Sequence, residues 1–259
     1  MKAAVVIPAR YESTRLPGKP LLNDTGKPLI EHVYEKASMS KLASNVIVAT
    51  DDQRIFDAVV KFGGLAVMTE AAHETGTSRV AEAARELDAD IIVNLQGDEP
   101  EIDPENLDLL IEMQNTHRPF ASTLACKFPD NASQGPGSPD DPAAVKAILG
   151  DAIAENIFQA RYFTRHICPW PRQGSGQIAS PSNYYLHVGL YAFSKASLMT
   201  FASAPSAPLE RAERLEQLRI LEMGERMTVG IIDSAAPGID TPEDYRLFVA
   251  RERKGAARQ

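Results

Sequence analysis

Arg10, Arg15 and Lys19 gather three cations into the short segment IPARYESTRLPGKPL. The segment follows Ala3 to Ile7, an apolar run that reads as a buried strand and is stopped by Pro8. Pro17, Gly18 and Pro20 interrupt the rest too often for a helix, so the cations fall on a loop. Guanidinium and ammonium groups clustered on a loop suit a polyanion, because forked arginine donors match phosphate oxygens. A solvated basic turn is the plainer alternative. Neither the P-loop spacing nor the glycine fingerprint of dinucleotide sites occurs in the chain.

Carboxylates supply the complementary chemistry. Asp98 stands after the apolar run Ile91 to Leu95, in VNLQGDEP, with Gly97 allowing a tight turn or close ligand approach. A hard divalent cation needs oxygen donors of this kind, and Mg²⁺ takes one or two carboxylates, with phosphate and water completing its shell. Asp240, in GIDTPEDY, is either a second metal ligand or a neighbour of a helix cap, with Thr241 the better cap before Pro242. HETGTSR at His73–Arg79 reads as a loop entering a helix, capped by Thr75 or Thr77, where backbone amides and Gly76 favour polar or anionic groups. His73 has no partner at metal-ligand spacing. Further on, Arg165, His187 and Tyr191 lie among apolar residues; His187 and Tyr191 are an even number apart and share a face if one strand carries both. Glu210, Glu213, Gln217 and Leu221 form one stripe if Leu209 to Met223 is a single helix.

The elements that must position these residues alternate through the first half. Helical spacing over Pro28–Lys41 is followed by a strand at Val46–Ala49, then by a helix capped within Thr50-Asp51-Asp52 and running to Phe62. A strand at Leu65–Met68, a helix over Thr77–Leu87 and the strand Ile91–Leu95 continue the rhythm. Such alternation predicts an α/β fold, a mostly parallel sheet flanked by helices. Ligands of these sheets bind beyond the carboxyl ends of the strands, where the Arg10–Lys19 loop and Gln96-Gly97-Asp98 both fall. The second half carries exposed loops at 129–142 and 169–182 and strands at 145–149, 185–193 and 227–232. The helix over 209–223, a closing helix over 242–251 and a frayed tail complete it.

Composition narrows the partners. The 259 residues are 44% hydrophobic and 24% charged, with a net charge of −8, which argues against general nucleic-acid binding or attachment to an anionic membrane. Cys126 and Cys168 lack a C-x-x-C or His cluster, so a disulfide framework or structural zinc site is not expected and a reducing compartment is. No run approaches the length of a membrane span and no leader is evident, which predicts a cytoplasmic protein.

Taken in order, IPARYESTRLPGKPL, VATDD, HETGTSR, VNLQGDEP, YFTR, HVGLYAF, RLEQLRILEMG and GIDTPEDY resemble the 3-deoxy-manno-octulosonate (KDO) cytidylyltransferase family over nearly the whole chain. The opening signature is common to sugar cytidylyltransferases; HVGLYAF, EQLR and DTPED narrow the resemblance to this family. It implies a nucleotide-diphospho-sugar transferase-like domain over 1–259. Within it, about 1–128 would be the nucleotide-binding half, about 140–235 a smaller sugar-binding and dimerisation lobe, and 236–255 a closing metal-site segment and helix. It further implies transfer of CMP from CTP to KDO with release of diphosphate for lipopolysaccharide synthesis, dependence on Mg²⁺, and a homodimer. Pro8, Ala9, Arg10, Arg15, Lys19, Gly76, Thr77, Arg79 and Gln96 would bind the nucleotide, with Lys19, Arg10 and Asp98 catalytic. Asp98 and Asp240 would hold the metal, and Arg165, His187, Tyr191, Glu213 and Gln217 would bind the sugar. The competing readings are a related acidic sugar of amino-KDO or neuraminate type, and a non-catalytic nucleotide-binding protein.

Overall fold

β1 (Ala3–Ala9) is buried at every position from Ala3 to Ile7, because it runs between two parallel neighbours and has no solvent face. Those neighbours are β2 (Ala43–Thr50) and β4 (Ile91–Asn94), and β3 (Leu65–Met68) pairs in parallel with the far side of β2. The computed structural model describes residues 1–12, 16–172 and 177–256. The chain divides into two units, residues 1–111 with 236–259, and residues 112–235.

In the first unit, α1 (Leu29–Ser38) buries Leu29, Ile30, Val33 and Ala37, the stripe its spacing predicts. α2 (Gln53–Lys61) starts at Asp52, whose side chain accepts from the Arg54 amide, and it buries Ile55 and Val59. α3 (Gly76–Ala84) begins at Thr75, whose hydroxyl accepts from the Ser78 amide. The division between the units falls within α4 (Pro104–His117).

The second unit has a mixed sheet rather than a continuation of the parallel rhythm. β5 (Ala121–Lys127) and β6 (Lys146–Ala154) are followed by β7 (Ile157–Thr164), β8 (Tyr185–Ser194) and α5 (Lys195–Ser203), and β9 (Met227–Ile232) comes last. β5 pairs antiparallel with β8 and parallel with β9; β7 runs antiparallel to both β9 and β6. β6 also meets β8, Lys146 opposite Leu186. The single helix expected over 209–223 is two, α6 (Pro208–Glu213) and α7 (Gln217–Glu222). Arg214 between them turns left-handed at φ 53°, which breaks the expected polar stripe.

The chain returns to the first unit with α8 (Pro242–Ala256). Its first turns pack Tyr245, Phe248 and Val249 against Leu16, Leu29 and Ile239. Residues 252–256, expected to fray, are helical instead, and the rest of that tail lies outside the described residues. Arg251 holds Glu101 through three hydrogen bonds, and Arg253 donates to the Asp24 carbonyl. Among the described residues, no helix is long and apolar enough to cross a membrane.

Candidate active site

The carboxyl ends of β1 and β4 open onto a cleft of about 420 Å³ lined by Pro8, Ala9, Arg10, Lys19, Gly76, Gln96 and Asp98. Two glycines keep its floor close. A Cβ on Gly97 would stand 3.0 Å from the Pro8 carbonyl oxygen, and one on Gly76 would stand 3.3 Å from Pro8 Cγ. Asn94 Nδ2 donates to Thr77 Oγ1, and Gln96 Nε2 donates to Asn94 Oδ1, so a chain of amides fixes Gln96 at the end of β4. Arg10 donates through Nη2 to the His73 carbonyl, and His73 itself pairs with Glu82. Arg10 also borders an adjoining cleft of about 740 Å³, where the Arg54 guanidinium lies 3.3 Å over the Tyr11 ring.

Lys19 is placed by a left-handed turn at Gly18 (φ 68°), after which Lys19–Leu21 forms one turn of 3₁₀ helix. Its Nζ donates to Asp98 Oδ2 at 2.8 Å and to the Ile239 carbonyl at 2.8 Å, and it lies 3.8 Å from Asp240 Oδ1. Two acids far apart in sequence therefore reach the same ammonium. The convergence is built by backbone: the Ile239 amide donates to the Asp98 carbonyl at 2.9 Å. Asp240 is not spent as a cap. Thr241 caps α8, its hydroxyl accepting from the Asp244 amide, while the Asp244 carboxylate accepts from the amides of Asp240 and Thr241. The sequence preference for Thr241 as the cap agrees with this. Two carboxylates and a carbonyl oxygen gathered around one cation are a hard donor set that fits Mg²⁺, with the ammonium as stand-in ion. Glu99, half-buried beside them, has its pKa pushed up to about 7 by burial and by the charges of Asp98 and Asp240.

The second unit gathers its own polar group. His187 Nε2 lies 2.9 Å from Thr123 Oγ1, and Gln217 Nε2 lies 3.5 Å from His187 Nδ1. Tyr191 donates to Gln217 Oε1 at 3.1 Å. Thr123 donates onward to the Leu190 carbonyl, so its oxygen accepts from the imidazole. That assigns the proton to Nε2 of a neutral ring. Burial pushes the imidazole down to about 3, in keeping with this assignment. In β8 the register shifts so that Thr123 faces Tyr191 and Leu124 faces Val188. The bulge brings the His187 and Tyr191 rings to 5.7 Å, where a regular strand would separate the positions by about 13 Å. They do share a face.

Two residues expected at the ligand are placed otherwise. The Arg79 side chain is fully buried, donating to Asp51 Oδ2 at 2.6 Å and Thr69 Oγ1 at 2.5 Å, so it ties β-strand ends together inside the core instead of facing nucleotide. Thr77 is also buried, beneath Asn94 rather than in the cleft. Arg165 donates to the carbonyls of Glu213, Pro142 and Arg214, which engages three of its five N–H groups. Glu213 receives Thr164 Oγ1 and the Arg165 amide, fastening the end of β7 to the break between α6 and α7. Arg15 lies outside the described residues. Sequence reading passed over Thr123, whose strand β5 was not foreseen, and over Glu12 and Glu74, which line the first cleft. It also passed over Glu99 and the Ile239 carbonyl. Glu99 is adjacent to Asp98 in the same motif, which was the available signal; nothing in the sequence marks a carbonyl.

A family model described as cytidylyltransferase matches residues 4–227. A 3-deoxy-manno-octulosonate cytidylyltransferase of Rhodopirellula baltica is 43% identical over 257 residues, covering 97% of this chain and 98% of that protein. An 8-amino-3,8-dideoxy-manno-octulosonate cytidylyltransferase of Shewanella woodyi is 42% identical, with 97% and 98% covered. Among solved structures, a CMP:2-keto-3-deoxy-manno-octonic acid synthetase complexed with CTP superposes with a TM-score of 0.87 at 38% identity, covering 98% of this chain and 100% of that one. UDP-glucose pyrophosphorylase, at a TM-score of 0.67 and 13% identity, shares the fold.

Proposed function

The chain belongs to the cytidylyltransferase family, and from that membership we infer that it transfers CMP from CTP to the anomeric hydroxyl of KDO, releasing diphosphate. The hydroxyl oxygen forms a bond to the α-phosphorus and gives up its proton to solvent, the bond from that phosphorus to the bridging oxygen breaks, and the diphosphate leaves with the electron pair. The observation that carries the reading is the meeting of Asp98 and Asp240 on one ammonium beside a cleft lined by Arg10. Two anions must be held together in this reaction, and cations positioned in advance offset their repulsion.

In this reading Arg10, Arg15 and Lys19 bind the phosphates, and Pro8, Ala9, Gly76 and Gln96 enclose the nucleoside. Mg²⁺ would be held by Asp98 and Asp240, where it would supply charge neutralisation at phosphate and acidity to the attacking hydroxyl. The His187–Gln217–Tyr191 group, with Thr123 behind it, offers neutral donors and acceptors suited to sugar hydroxyls. The Arg165 guanidinium suits the sugar carboxylate. A homodimer built on the second unit and a cytoplasmic location complete the proposal. The test is diphosphate release with CTP, Mg²⁺ and a panel of KDO, 8-amino-KDO and neuraminate. Release with KDO is expected. Release with the amino sugar alone would move the assignment to that substrate, and CTP binding without release from any sugar would overturn enzymatic transfer.

A further inference from the structure

We propose that Lys19 is a resident counter-cation for the metal seat, displaced toward the phosphates when a divalent ion binds. The proposal deepens the metal-nucleotide reading of this cleft and rests on it. Three oxygens converge on its ammonium: Asp98 Oδ2 and the Ile239 carbonyl at 2.8 Å each, with Asp240 Oδ1 at 3.8 Å. These are the donors that a hard cation would take. A divalent ion and an ammonium cannot both be accommodated there without mutual repulsion, so the two compete for the same oxygens.

The surrounding structure allows the side chain to move while the seat stays. The Lys19 backbone is fixed, its amide donating to Leu16 and its carbonyl accepting from Leu22, with Pro20 buried next to it. The flexible four-carbon stem can then swing without disturbing the turn. The seat is held independently by the Ile239–Asp98 backbone bond and by the Thr241–Asp244 cap. Without an internal cation, the Asp98 and Asp240 carboxylates would face each other across the seat with like charge. Lys19 therefore keeps the donors convergent before metal arrives. Once displaced, its ammonium becomes available to the triphosphate, which couples metal and nucleotide binding through one residue.

The test uses the full chain without nucleotide or sugar. Lys19 acylation is followed by mass spectrometry with and without Mn²⁺, using the exposed Lys2 as internal reference. Mn²⁺ affinity of wild type and Lys19→Met is measured by titration calorimetry. Displacement predicts that Mn²⁺ makes Lys19 label several-fold faster and that Lys19→Met binds Mn²⁺ about tenfold tighter than wild type. Lys19 labelling that stays unchanged at saturating Mn²⁺ overturns the proposal, as does a variant that binds Mn²⁺ no tighter. Because the labelling arm uses wild-type protein, a folding defect in the variant does not obscure the result. Both readouts are independent of sugar turnover, so failure of CMP transfer to KDO would be seen separately in the diphosphate assay.

Discussion

Asp98→Asn removes one charge while preserving shape, and the structure predicts that stability and turnover will part company. The partner lost is the Lys19 ammonium at 2.8 Å, in a pair whose side chains are 31% and 15% exposed. A charged hydrogen bond with that much solvent contributes about 1–2 kcal/mol. Lys19 keeps its bond to the Ile239 carbonyl, and the backbone bond from Ile239 to the Asp98 carbonyl needs no side chain. Unfolding free energy should therefore fall by at most about 2 kcal/mol, leaving the protein folded at assay temperature. Through the Mg²⁺ it would hold, the carboxylate's effect on the reacting phosphate is larger. Preorganised charge at a developing anion is worth about 3–4 kcal/mol, or roughly 10²–10³-fold in kcat. Diphosphate release at saturating CTP, Mg²⁺ and KDO, paired with a thermal melt, reads both quantities. A kcat within about threefold of wild type would refute the metal assignment. Collapse of the fold would refute the claim that this strand-end acid contributes little to the core.

Arg79→Met should cost about 3 kcal/mol of stability by stranding Asp51, while CTP affinity of the folded protein at low temperature stays unchanged; a large loss of affinity without destabilisation would return Arg79 to the nucleotide site. Thr241→Val should cost about 1 kcal/mol in denaturant unfolding through the lost cap and weaken Mn²⁺ binding by loosening Asp240; unaltered metal affinity would show that the cap does not position that carboxylate. His187 is held neutral by burial, with its folded pKa pushed down to about 3 from 6.5. The unfolded chain takes up a proton below about pH 6.5 and the folded chain does not, so stability is lost as pH falls below about 6.5, by at most about 1.4 kcal/mol per pH unit. His187→Gln should flatten that slope in urea titrations between about pH 6.5 and 4; an unchanged slope would place the titration elsewhere.

The parallel half of the fold was legible because its strands are short apolar runs between punctuated loops, and each predicted strand from Ala3 to Leu95 has a counterpart in β1 to β4. In the second unit the strands expected at 145–149, 185–193 and 227–232 have counterparts in β6, β8 and β9, whereas β5 and β7 were not foreseen because they do not carry that pattern. β5 interleaves Ser122 and Thr123 among its apolar residues, yet both hydroxyls are buried and bonded, Ser122 to Gln114 and Thr123 to Leu190. β7 carries a partly buried Gln159 and an exposed Arg161. The break between α6 and α7 depends on a left-handed Arg214, a conformation with no sequence signature in a residue other than glycine or asparagine. Arg79 was misplaced for a related reason: a cation in a glycine-bearing loop motif looks available to phosphate, and only the fold shows Asp51 and Thr69 already holding it.

The metal seat shows what local chemistry can and cannot convey. Spacing along the chain says nothing about whether Asp98 and Asp240 meet, because the contact is made by tertiary packing of Ile239 and α8 onto Leu16 and Leu29. What the sequence did hold was a reason for Asp240 not to be the helix cap. In GIDTPED, one residue must cap the helix that starts at Pro242, and a threonine directly before that proline, with an acid three positions after the threonine, meets the requirement through the Thr241–Asp244 pair. Had Asp240 been the cap, its oxygens would have been committed to helix amides. With Thr241 in that role, the carboxylate one position earlier turns to the cation that Asp98 already holds.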